Sequence, residues 1–284
     1  MGKIIKLSDG TEIPNIGIGT WNIGDSFSKR KEEIESIRYA IDNGVYLIDT
    51  AEMYGNGNSE RLVGEALKGL DRKKVYIVSK VLPSNAGKKK IYSSCKNSLK
   101  RLGTDYMDLY LLHWRGNIPF EETIGCMEEL KKSGVIKNWG VSNMDIEDME
   151  ELLSVPEGKN CVVNQVLYHL GSKGIEYSLK PYTDENGIVT MAYCPIAQGG
   201  SLREGLLSSG SVLEISRKYG ISPIQVLLCY VLQKENIIAI PKASRLIHMK
   251  EIVECKNIIL EKEDIGLLEK EYPRPNRKMP LDIE

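Results

Sequence analysis

The 284-residue chain lacks a long apolar run, a closely spaced pair of cysteines and a surplus of either charge. Because a long apolar run is lacking and the N-terminal segment MGKIIKLSDG is polar, we expect neither a membrane span nor a secretory signal. The net charge of −1 gives no indication of a nucleic-acid or membrane-surface partner. Together these absences predict a cytoplasmic protein that binds neither nucleic acid nor membrane.

Six cysteines occur in the chain, and no two of them are close enough in sequence to form a CxxC pair. Most lie in apolar or helical segments, which is typical of reduced core thiols in a cytosolic protein. Their spacing predicts no metal site. A chain of this length buries roughly three quarters of its unfolded surface, so its core needs no disulfide. The six are Cys95, Cys126, Cys161, Cys194, Cys229 and Cys255.

Predicted strands and helices alternate along the chain. A β-hairpin comes first, because the segments KIIKL and TEIPNI flank the tight-turn pair Asp9-Gly10. Eight apolar segments then predict strands at residues 16–19, 45–49, 75–80, 107–113, 136–142, 161–165, 188–193 and 237–240. Helical spacing predicts helices at residues 29–43, 59–70, 88–102, 120–133, 145–153, within 172–186, and at 212–219, 223–234 and 246–255. The second helix is expected to begin with Ser59 as its N-cap, and the fifth with Asn143 or Asp145.

Eight strand–helix units in about 250 residues predict a closed (β/α)8 TIM barrel of the α/β class. The strands are apolar on both faces, as doubly buried parallel strands are. We expect a single domain over residues 1–284, in which the N-terminal β-hairpin precedes the barrel and a C-terminal extra helix at residues 264–269 follows it. A doubly wound open sheet is the alternative, and the lack of a GxGxxG motif after the first strand disfavours it.

Six of the predicted strands end in side chains that can donate or accept hydrogen bonds. In a barrel these ends share one rim, where the active site lies. Each residue alone has a structural explanation, as a cap, a solvated lysine or a core histidine. Their coincidence at one rim predicts an active site instead. The residues are Asp49 and, in the loop after it, Tyr54, then Lys80, His113, Ser142, Asn143, Gln165 and Tyr193.

Eight segments, spread in order from about residue 5 to about residue 260, resemble the motifs of the aldo-keto reductases. They are GIGTW (17–21), LIDTAEMYGN (47–56), VSK (78–80), DYMDLYLLHW (105–114), KNWGVSN (137–143), NQVLYH (164–169), AYCPIAQG (192–199) and IPKAS (240–244). The resemblance implies an NAD(P)H-dependent enzyme on a (β/α)8 barrel, an alcohol dehydrogenase of the NADP+ type (EC 1.1.1.-) that reduces aldehydes and ketones. It also implies NADPH/NADP+ as the cofactor, and neither metal nor flavin.

Carried over to this chain, the resemblance makes Tyr54 the general acid and Lys80 and Asp49 the pair that tunes it. A free tyrosine has a pKa of about 10, and a cation in contact lowers it. We therefore expect Lys80 to lower the pKa of Tyr54, while Asp49 keeps Lys80 charged. His113, in its neutral form, orients the substrate carbonyl and donates a hydrogen bond to its oxygen. Tyr54 then protonates the developing alkoxide.

The resemblance also implies which residues bind the cofactor. Ser142, Asn143 and Gln165 hold the nicotinamide carboxamide, and Tyr193 stacks on the nicotinamide ring. The whole set is Gly19, Thr20, Trp21, Asp49, Ser142, Asn143, Gln165, Tyr193, Cys194, Pro195, Ile196, Lys242, Ala243, Ser244, Arg245, His248 and Glu251.

Lys242 and Arg245 bear on the choice of cofactor. Lys and Arg together bind a 2′-phosphate well, which favours NADPH over NADH. The alternative is that Lys242 and Arg245 are solvated loop cations that do not bind a phosphate. The chain departs from many relatives by carrying His248 in place of an arginine, and Glu251-Ile252 in place of a Glu-Asn pair against the adenine. These departures leave dual use of NADPH and NADH open.

Short loops predict an open substrate pocket. The loop after the fourth strand is brief, segment 198–210 is rich in glycine and serine, and the tail after residue 273 is short and polar. The expected partner is a small-molecule carbonyl, such as an aldehyde, a ketoaldehyde or an open-chain sugar, rather than a steroid. A monomer or weak homo-oligomer is expected. We expect the substrate to contact Trp21, Tyr54, His113 and Trp114, with Met53 in the same wall of the pocket. Trp139 lies within a predicted strand and is assigned to the core.

Two other functions remain open from the sequence. Lys80 ends a barrel strand and could form a Schiff base, as in class I aldolases. An aldolase, however, needs neither the GVSN segment nor Gln165 and a stacking Tyr193. The second alternative is a nucleotide-sensing subunit with little turnover, which the four intact catalytic residues disfavour.

Overall fold

The structure is a computed structural model that describes residues 2–284, so Met1, the first residue of the predicted domain, lies outside the described residues. The chain begins with the predicted hairpin, in which β1 (Ile4–Lys6) and β2 (Glu12–Pro14) pair in antiparallel fashion. Asp9 fixes the turn, because its carboxylate accepts hydrogen bonds from the backbone N–H and the hydroxyl of Thr11 at 2.9 and 2.8 Å.

Eight parallel strands follow the hairpin and form one sheet in chain order. The sheet closes on itself, because Ile16 pairs in parallel with Ala239 and the N–H of Gly19 donates to the carbonyl of Pro241 at 2.9 Å. The predicted (β/α)8 barrel is therefore confirmed over the open doubly wound sheet. The strands are β3 (Gly17–Gly19), β4 (Leu47–Asp49), β5 (Tyr76–Val81), β6 (Met107–Leu112), β7 (Ile136–Ser142), β8 (Cys161–Leu167), β9 (Val189–Tyr193) and β10 (Ile237–Ala239).

Helices connect consecutive strands around the outside of the barrel. The predicted helices are all present, although several are shorter than predicted, and the last helix follows the barrel as expected. That residues 1–284 form a single domain stays a prediction. The helices are α1 (Arg30–Asp42), α2 (Asn58–Ala66), α3 (Ile91–Leu102), α4 (Phe120–Lys132), α5 (Ile146–Ser154), α6 (Leu179–Glu185), α7 (Ser201–Leu207), α8 (Gly210–Tyr219), α9 (Pro223–Gln233), α10 (Leu246–Glu254) and α11 (Lys262–Glu271).

Two local predictions are wrong. The glycine- and serine-rich segment 198–210 contains a helix, α7, that was not predicted. Helix α2 does not use Ser59 as its N-cap, because it begins one residue earlier, after Gly57 in a left-handed conformation with φ of 85°. The hydroxyl of Ser59 instead hydrogen-bonds to the hydroxyl of Thr20 at 2.7 Å, which ties the first turn of α2 to the end of β3. Asp145 caps α5 as predicted, through a capping box.

Two apolar layers hold the fold together. One layer fills the space between the strands and the helices and includes Trp139, which is a core residue as expected. The other layer fills the barrel and includes strand residues such as Leu111 and Met191. Ile5 and Ile13 of the hairpin are buried in this second layer. The hairpin therefore plugs the end of the barrel opposite the strand ends at which a barrel enzyme carries its active site.

Ile13→Ala should destabilise the fold by about 2–5 kcal/mol, because it removes a buried side chain from the plug of the barrel. Ile4→Ala, in the opposite strand of the hairpin, is the matched control, since Ile4 is 51% exposed and Ile13 is 0% exposed. Urea unfolding of both variants measures the difference in the free energy of unfolding. Equal losses in the two variants would contradict the role of the hairpin as a plug.

Candidate active site

A cavity of about 560 Å³ opens at the C-terminal ends of the barrel strands. Two predicted site residues do not line it: Lys80 is fully buried behind the wall, and Arg245 is exposed at the N-terminal end of α10. The predicted residues that do line the cavity are Gly19, Thr20, Trp21, Asp49, Tyr54, His113, Trp114, Ser142, Asn143, Gln165, Tyr193, Cys194, Pro195, Ile196, Lys242, Ala243, Ser244, His248 and Glu251.

Lys80 and Asp49 form a buried ion pair at the base of the cavity. The Nζ atom of Lys80 donates to Asp49 Oδ2 at 2.7 Å, to the carbonyl oxygen of Thr50 at 2.9 Å and to Tyr54 Oη at 3.0 Å. These three partners use all three N–H donors of the ammonium group. The strands supply this geometry, because β4 and β5 are adjacent and parallel, with Asp49 beside Val78 in the register.

Burial has the largest effect on the pKa of Tyr54. It raises the pKa of Tyr54 above the usual value, and contact with Lys80 lowers that pKa only in part. Lys80 therefore lowers the pKa of Tyr54 as expected, but the pKa still lies above its usual value, because desolvation of the phenolate outweighs the attraction of the cation. Burial also lowers the pKa of Lys80, but Asp49 and Tyr54 together outweigh burial and leave that pKa raised. Tyr54 thus holds its proton and Lys80 its charge at neutral pH.

His113 follows β6 and lies next to Tyr54, with 5.8 Å between the two ring centroids. Burial and the charge of Lys80 lower the pKa of His113 to about 3, so the imidazole is neutral at neutral pH, as expected. Its Nδ1 atom is buried and has no hydrogen-bond partner among residues 2–284. Because buried donors are rarely left unpaired, we assign the ring proton to Nε2.

Side chains at the ends of β7, β8 and β9 form a hydrogen-bonded cluster beside the ion pair. Gln165 Nε2 donates to Asp49 Oδ1 at 2.8 Å, and Ser142 Oγ donates to the carbonyl oxygen of Gln165 at 2.9 Å. The hydroxyl of Tyr193 donates to Asn143 Oδ1 at 2.8 Å. These bonds fix the orientation of both amides and of the Tyr193 ring, so the polar wall of the cavity is preorganised.

Two tryptophans flank the phenol and the imidazole. The Trp21 ring packs edge-on against Tyr54 with 4.9 Å between centroids, and the Trp114 ring lies 4.9 Å from that of His113. Both indoles are partly exposed, and Met53 contributes to the same cavity. This end of the cavity therefore combines apolar walls with the polar atoms of Tyr54 and His113.

Arg203 lines the cavity but was not predicted as a site residue. It belongs to α7, whose sequence SLREGLL carries leucines at helical spacing, a signal that could have revealed the helix. Gln198, in the loop before α7, also lines the cavity. The unpredicted helix thus supplies a cation to the wall.

The C-terminal tail borders the cavity, although its short polar sequence had predicted an open pocket. Asp282 accepts a hydrogen bond from Ser172, and Glu284 Oε2 accepts one from the Cys194 thiol at 2.9 Å. Glu284 consequently lines the cavity. Each of these bonds joins residues 90 or more positions apart, so no local sequence pattern marks them.

Within residues 2–284, every helix is too short or too polar to span a bilayer. The same residues contain no cluster of three or more His, Cys, Asp or Glu side chains suited to holding a metal ion. Five of the six cysteines are buried, and Cys194 alone is partly exposed, in the cavity wall.

Residues 15–272 match the model of the aldo/keto reductase family. The chain belongs to this family. Among curated relatives, this aldo/keto reductase is 48% identical over 281 residues to the methylglyoxal reductase YeaE of Escherichia coli, with 99% of each chain covered. It is 34% identical over 267 residues to the glyoxal reductase of Bacillus subtilis, with 93% of this chain and 91% of the relative covered.

Solved structures of other aldo/keto reductases share the fold. One from Klebsiella pneumoniae in complex with NADP and acetate has a TM-score of 0.96 and 44% identity, with 100% of each chain covered. A thermostable aldo-keto reductase in complex with the inhibitor epalrestat has a TM-score of 0.86 and 37% identity, with 94% of this chain and 99% of that chain covered. The resemblance stated from the sequence motifs is therefore confirmed.

His113 should make the stability of this aldo/keto reductase depend on pH. An unfolded histidine has a pKa of about 6.5, whereas burial lowers the pKa of folded His113 to about 3. As the pH falls, the unfolded state therefore binds the proton first. The stability contributed by neutral His113 is complete above about pH 6.5 and is lost progressively between about pH 6.5 and pH 3.

Urea unfolding at about pH 7.5 and about pH 4.5 measures this effect. When the pH is lowered from about 7.5 to about 4.5, the free energy of unfolding of the wild type should fall. In His113→Gln this fall should be smaller by about 2–3 kcal/mol. His248→Gln, which removes a half-exposed imidazole, is the matched control. The same pH dependence in wild type and in His113→Gln would contradict a neutral, buried His113.

Proposed function

We propose that the protein is an NADP(H)-dependent reductase that converts small aldehydes and ketones to alcohols, with Tyr54 as the general acid. The observation that carries the proposal is the buried contact of Lys80 Nζ with both Asp49 and Tyr54 at the base of the cavity. A protonated phenol held against a paired ammonium, beside a neutral imidazole, is suited to moving one proton to or from a substrate oxygen.

The cofactor is proposed to bind in the same cavity. Two aldo/keto reductase structures from Klebsiella pneumoniae, each 44% identical to this chain, contain NADP and NADPH, which supports this choice. The orientation of the Tyr193 ring by Asn143 suits a flat ring stacked on it, and Ser142 and Gln165 offer polar atoms for an amide. When bound, the cofactor supplies the hydride.

NADPH is proposed as the preferred cofactor over NADH. Lys242 and Ser244 lie together in the cavity wall, and a lysine with a hydroxyl beside it suits a 2′-phosphate. Arg245, exposed at the N-terminal end of α10, lies outside the lining, so its part in phosphate binding rests on the family resemblance alone.

Tyr54 and His113 are proposed to act on the same substrate oxygen. The Nε2–H group of His113 donates to the carbonyl oxygen and holds it near the phenol. As negative charge develops on that oxygen, Tyr54 gives up its proton, and the Lys80 ammonium stabilises the phenolate that remains. Asp49 keeps Lys80 charged throughout. In the reverse direction the phenolate accepts the proton of the alcohol.

Small ketoaldehydes, simple aldehydes and open-chain sugars are the proposed substrates. The relatives named methylglyoxal reductase and glyoxal reductase support this class. The space is limited, because a cavity of about 560 Å³ must hold the substrate beside part of a cofactor. Trp21 and Trp114 lie beside the proton-donating groups and narrow that end, which disfavours a steroid.

A class I aldolase is disfavoured by the state of Lys80. A Schiff base requires a neutral amine that reaches the substrate. Lys80 is fully buried, and its three donors are engaged by Asp49, Thr50 and Tyr54. A nucleotide-sensing subunit with little turnover would use the same cavity, so a measurement of turnover separates it from the proposed reductase.

Tyr54→Phe should lower kcat/KM for methylglyoxal reduction by roughly 10²- to 10⁴-fold, because it removes the proton donor and keeps the ring. Its affinity for NADPH, measured by quenching of tryptophan fluorescence, should be unchanged. The oxidation of NADPH, followed by absorbance over a panel of ketoaldehydes, aldehydes, open-chain sugars and steroid ketones, gives the rates.

Tyr177→Phe is the matched control, since Tyr177 is an exposed tyrosine outside the cavity, and it should be as active as wild type. Unchanged activity in Tyr54→Phe would overturn the role of the phenol. Tight NADPH binding by the wild-type protein with negligible turnover of every carbonyl would favour the sensing subunit. A preference for steroids would contradict the proposed substrate class.

A further inference from the structure

Glu60 is a fully buried carboxylate that the chemistry described above does not use. It lies in the first turn of α2. Its Oε1 atom accepts a hydrogen bond from the hydroxyl of Ser79 at 2.7 Å, and its Oε2 atom accepts one from Arg101 Nε at 2.5 Å. Ser79 directly precedes Lys80 on β5, and Arg101 is in the last turn of α3. Glu60 therefore joins two helices to the strand that carries Lys80.

Arg101 also packs against the loop that follows Tyr54. Three consecutive residues of this loop, Gly55, Asn56 and Gly57, take positive φ values of 54°, 52° and 85°. A Cβ atom at residue 57 would lie 2.5 Å from Cδ of Arg101, so only glycine allows the side chain to approach the backbone this closely. A left-handed conformation at a residue such as Asn56 persists where the surroundings hold it. The side chain of Arg101 supplies part of that support.

The residue before Glu60 makes corresponding contacts with the ends of β3 and β4. The hydroxyl of Ser59 lies 2.7 Å from that of Thr20 and 3.1 Å from that of Thr50. These threonines directly follow β3 and β4, and the carbonyl oxygen of Thr50 accepts a hydrogen bond from Lys80. Ser59, like Glu60, is 0% exposed. The first turn of α2 is thus hydrogen-bonded to three neighbouring strands or the residues that follow them, behind the buried ion pair.

The proposed proton transfer depends on the spacing that these bonds hold. Lys80 Nζ lies 3.0 Å from Tyr54 Oη, but Lys80 belongs to β5 whereas Tyr54 belongs to the loop after β4. The attraction between the ammonium and a phenolate weakens as the distance between them grows. A loop displaced from β5 would therefore leave the phenolate less stable.

We propose that Glu60 and Arg101 are positioning residues for Tyr54. The pair holds the loop that carries the phenol against the strand that carries Lys80. Neither residue lines the cavity, so both act through Tyr54 and Lys80 rather than on the substrate or the cofactor. The inference rests on the proposed role of Tyr54 as the general acid.

The double variant Glu60→Gln/Arg101→Met removes both charges of the pair and leaves neither unpaired. It should lower kcat for methylglyoxal reduction about 10- to 100-fold, as expected when a reacting group is misplaced by about 1 Å. The KM for methylglyoxal and the dissociation constant of NADPH should stay at their wild-type values. In the reverse oxidation with NADP+, the rise of kcat/KM should move to higher pH, because Lys80 stabilises the phenolate less. A smaller amount of folded protein would not move that pH.

Three single variants complete the test. Ser79→Ala removes only the hydroxyl that joins Glu60 to β5, so it should move the pH profile in the same direction by a smaller amount, and it carries the test if the double variant does not fold. Arg101→Lys keeps a cation beside Glu60 and should retain most of the kcat that the double variant loses. Glu65→Gln is the matched control, since it breaks a partly exposed ion pair of the same helix with Arg30, and it should be as active as wild type.

Wild-type kcat with an unshifted pH profile, in the folded double variant or in Ser79→Ala, would overturn the inference. A loss of activity with an unshifted profile would also overturn it, because it would show that the pair supports the fold alone. Wild-type protein that turns over none of the carbonyls would instead overturn the proposed function.

Discussion

The buried contact of Lys80 with Asp49 and Tyr54 is the interaction on which the fold and the site depend together. An ammonium group removed from water costs several kcal/mol unless it is paired and hydrogen-bonded. Lys80 is satisfied by a carboxylate, a backbone carbonyl and a phenol, all contributed by β4 or by the loop after it. Because Lys80 itself is on β5, the contact forms only when these two strands lie in their observed register.

The cavity joins two parts that are built differently. The groups proposed to handle the proton lie at or near the ends of rigid strands, where a displacement would disturb the barrel itself. The groups proposed to bind the cofactor lie partly at strand ends, as Ser142, Gln165 and Tyr193 do, and partly on loops. These loops are held by side-chain hydrogen bonds, such as those from Arg203 to Ile196 and Ala197 and the long-range bond from Cys194 to Glu284. Changes in these loops can therefore alter the choice of cofactor or substrate without disturbing the strand ends.

Much of the fold and the candidate site could be predicted because it is encoded locally. Apolar runs that stop at a polar side chain identified Asp49, Lys80 and His113 as neighbours on one rim. Helix α7 and Arg203 were missed because a glycine- and serine-rich segment hides the short helical pattern, and the tail contacts join distant positions. The lowering effect of Lys80 on the pKa of Tyr54 could be predicted, but the larger, opposite effect of burial could not, because burial of the phenol depends on the whole folded barrel and not on the residue beside it.

The central claim is that the Lys80 cation stabilises the phenolate of Tyr54. The pH dependence of kcat/KM for alcohol oxidation with NADP+ tests it most directly, because this direction requires the phenolate. The double variant Lys80→Met/Asp49→Asn removes the buried pair without leaving an unpaired charge. Since Lys80 outweighs Asp49 in its effect on the pKa of Tyr54, the rise of the rate should move to higher pH in that variant. Normalised profiles that superimpose for the wild type and the double variant would contradict the claim.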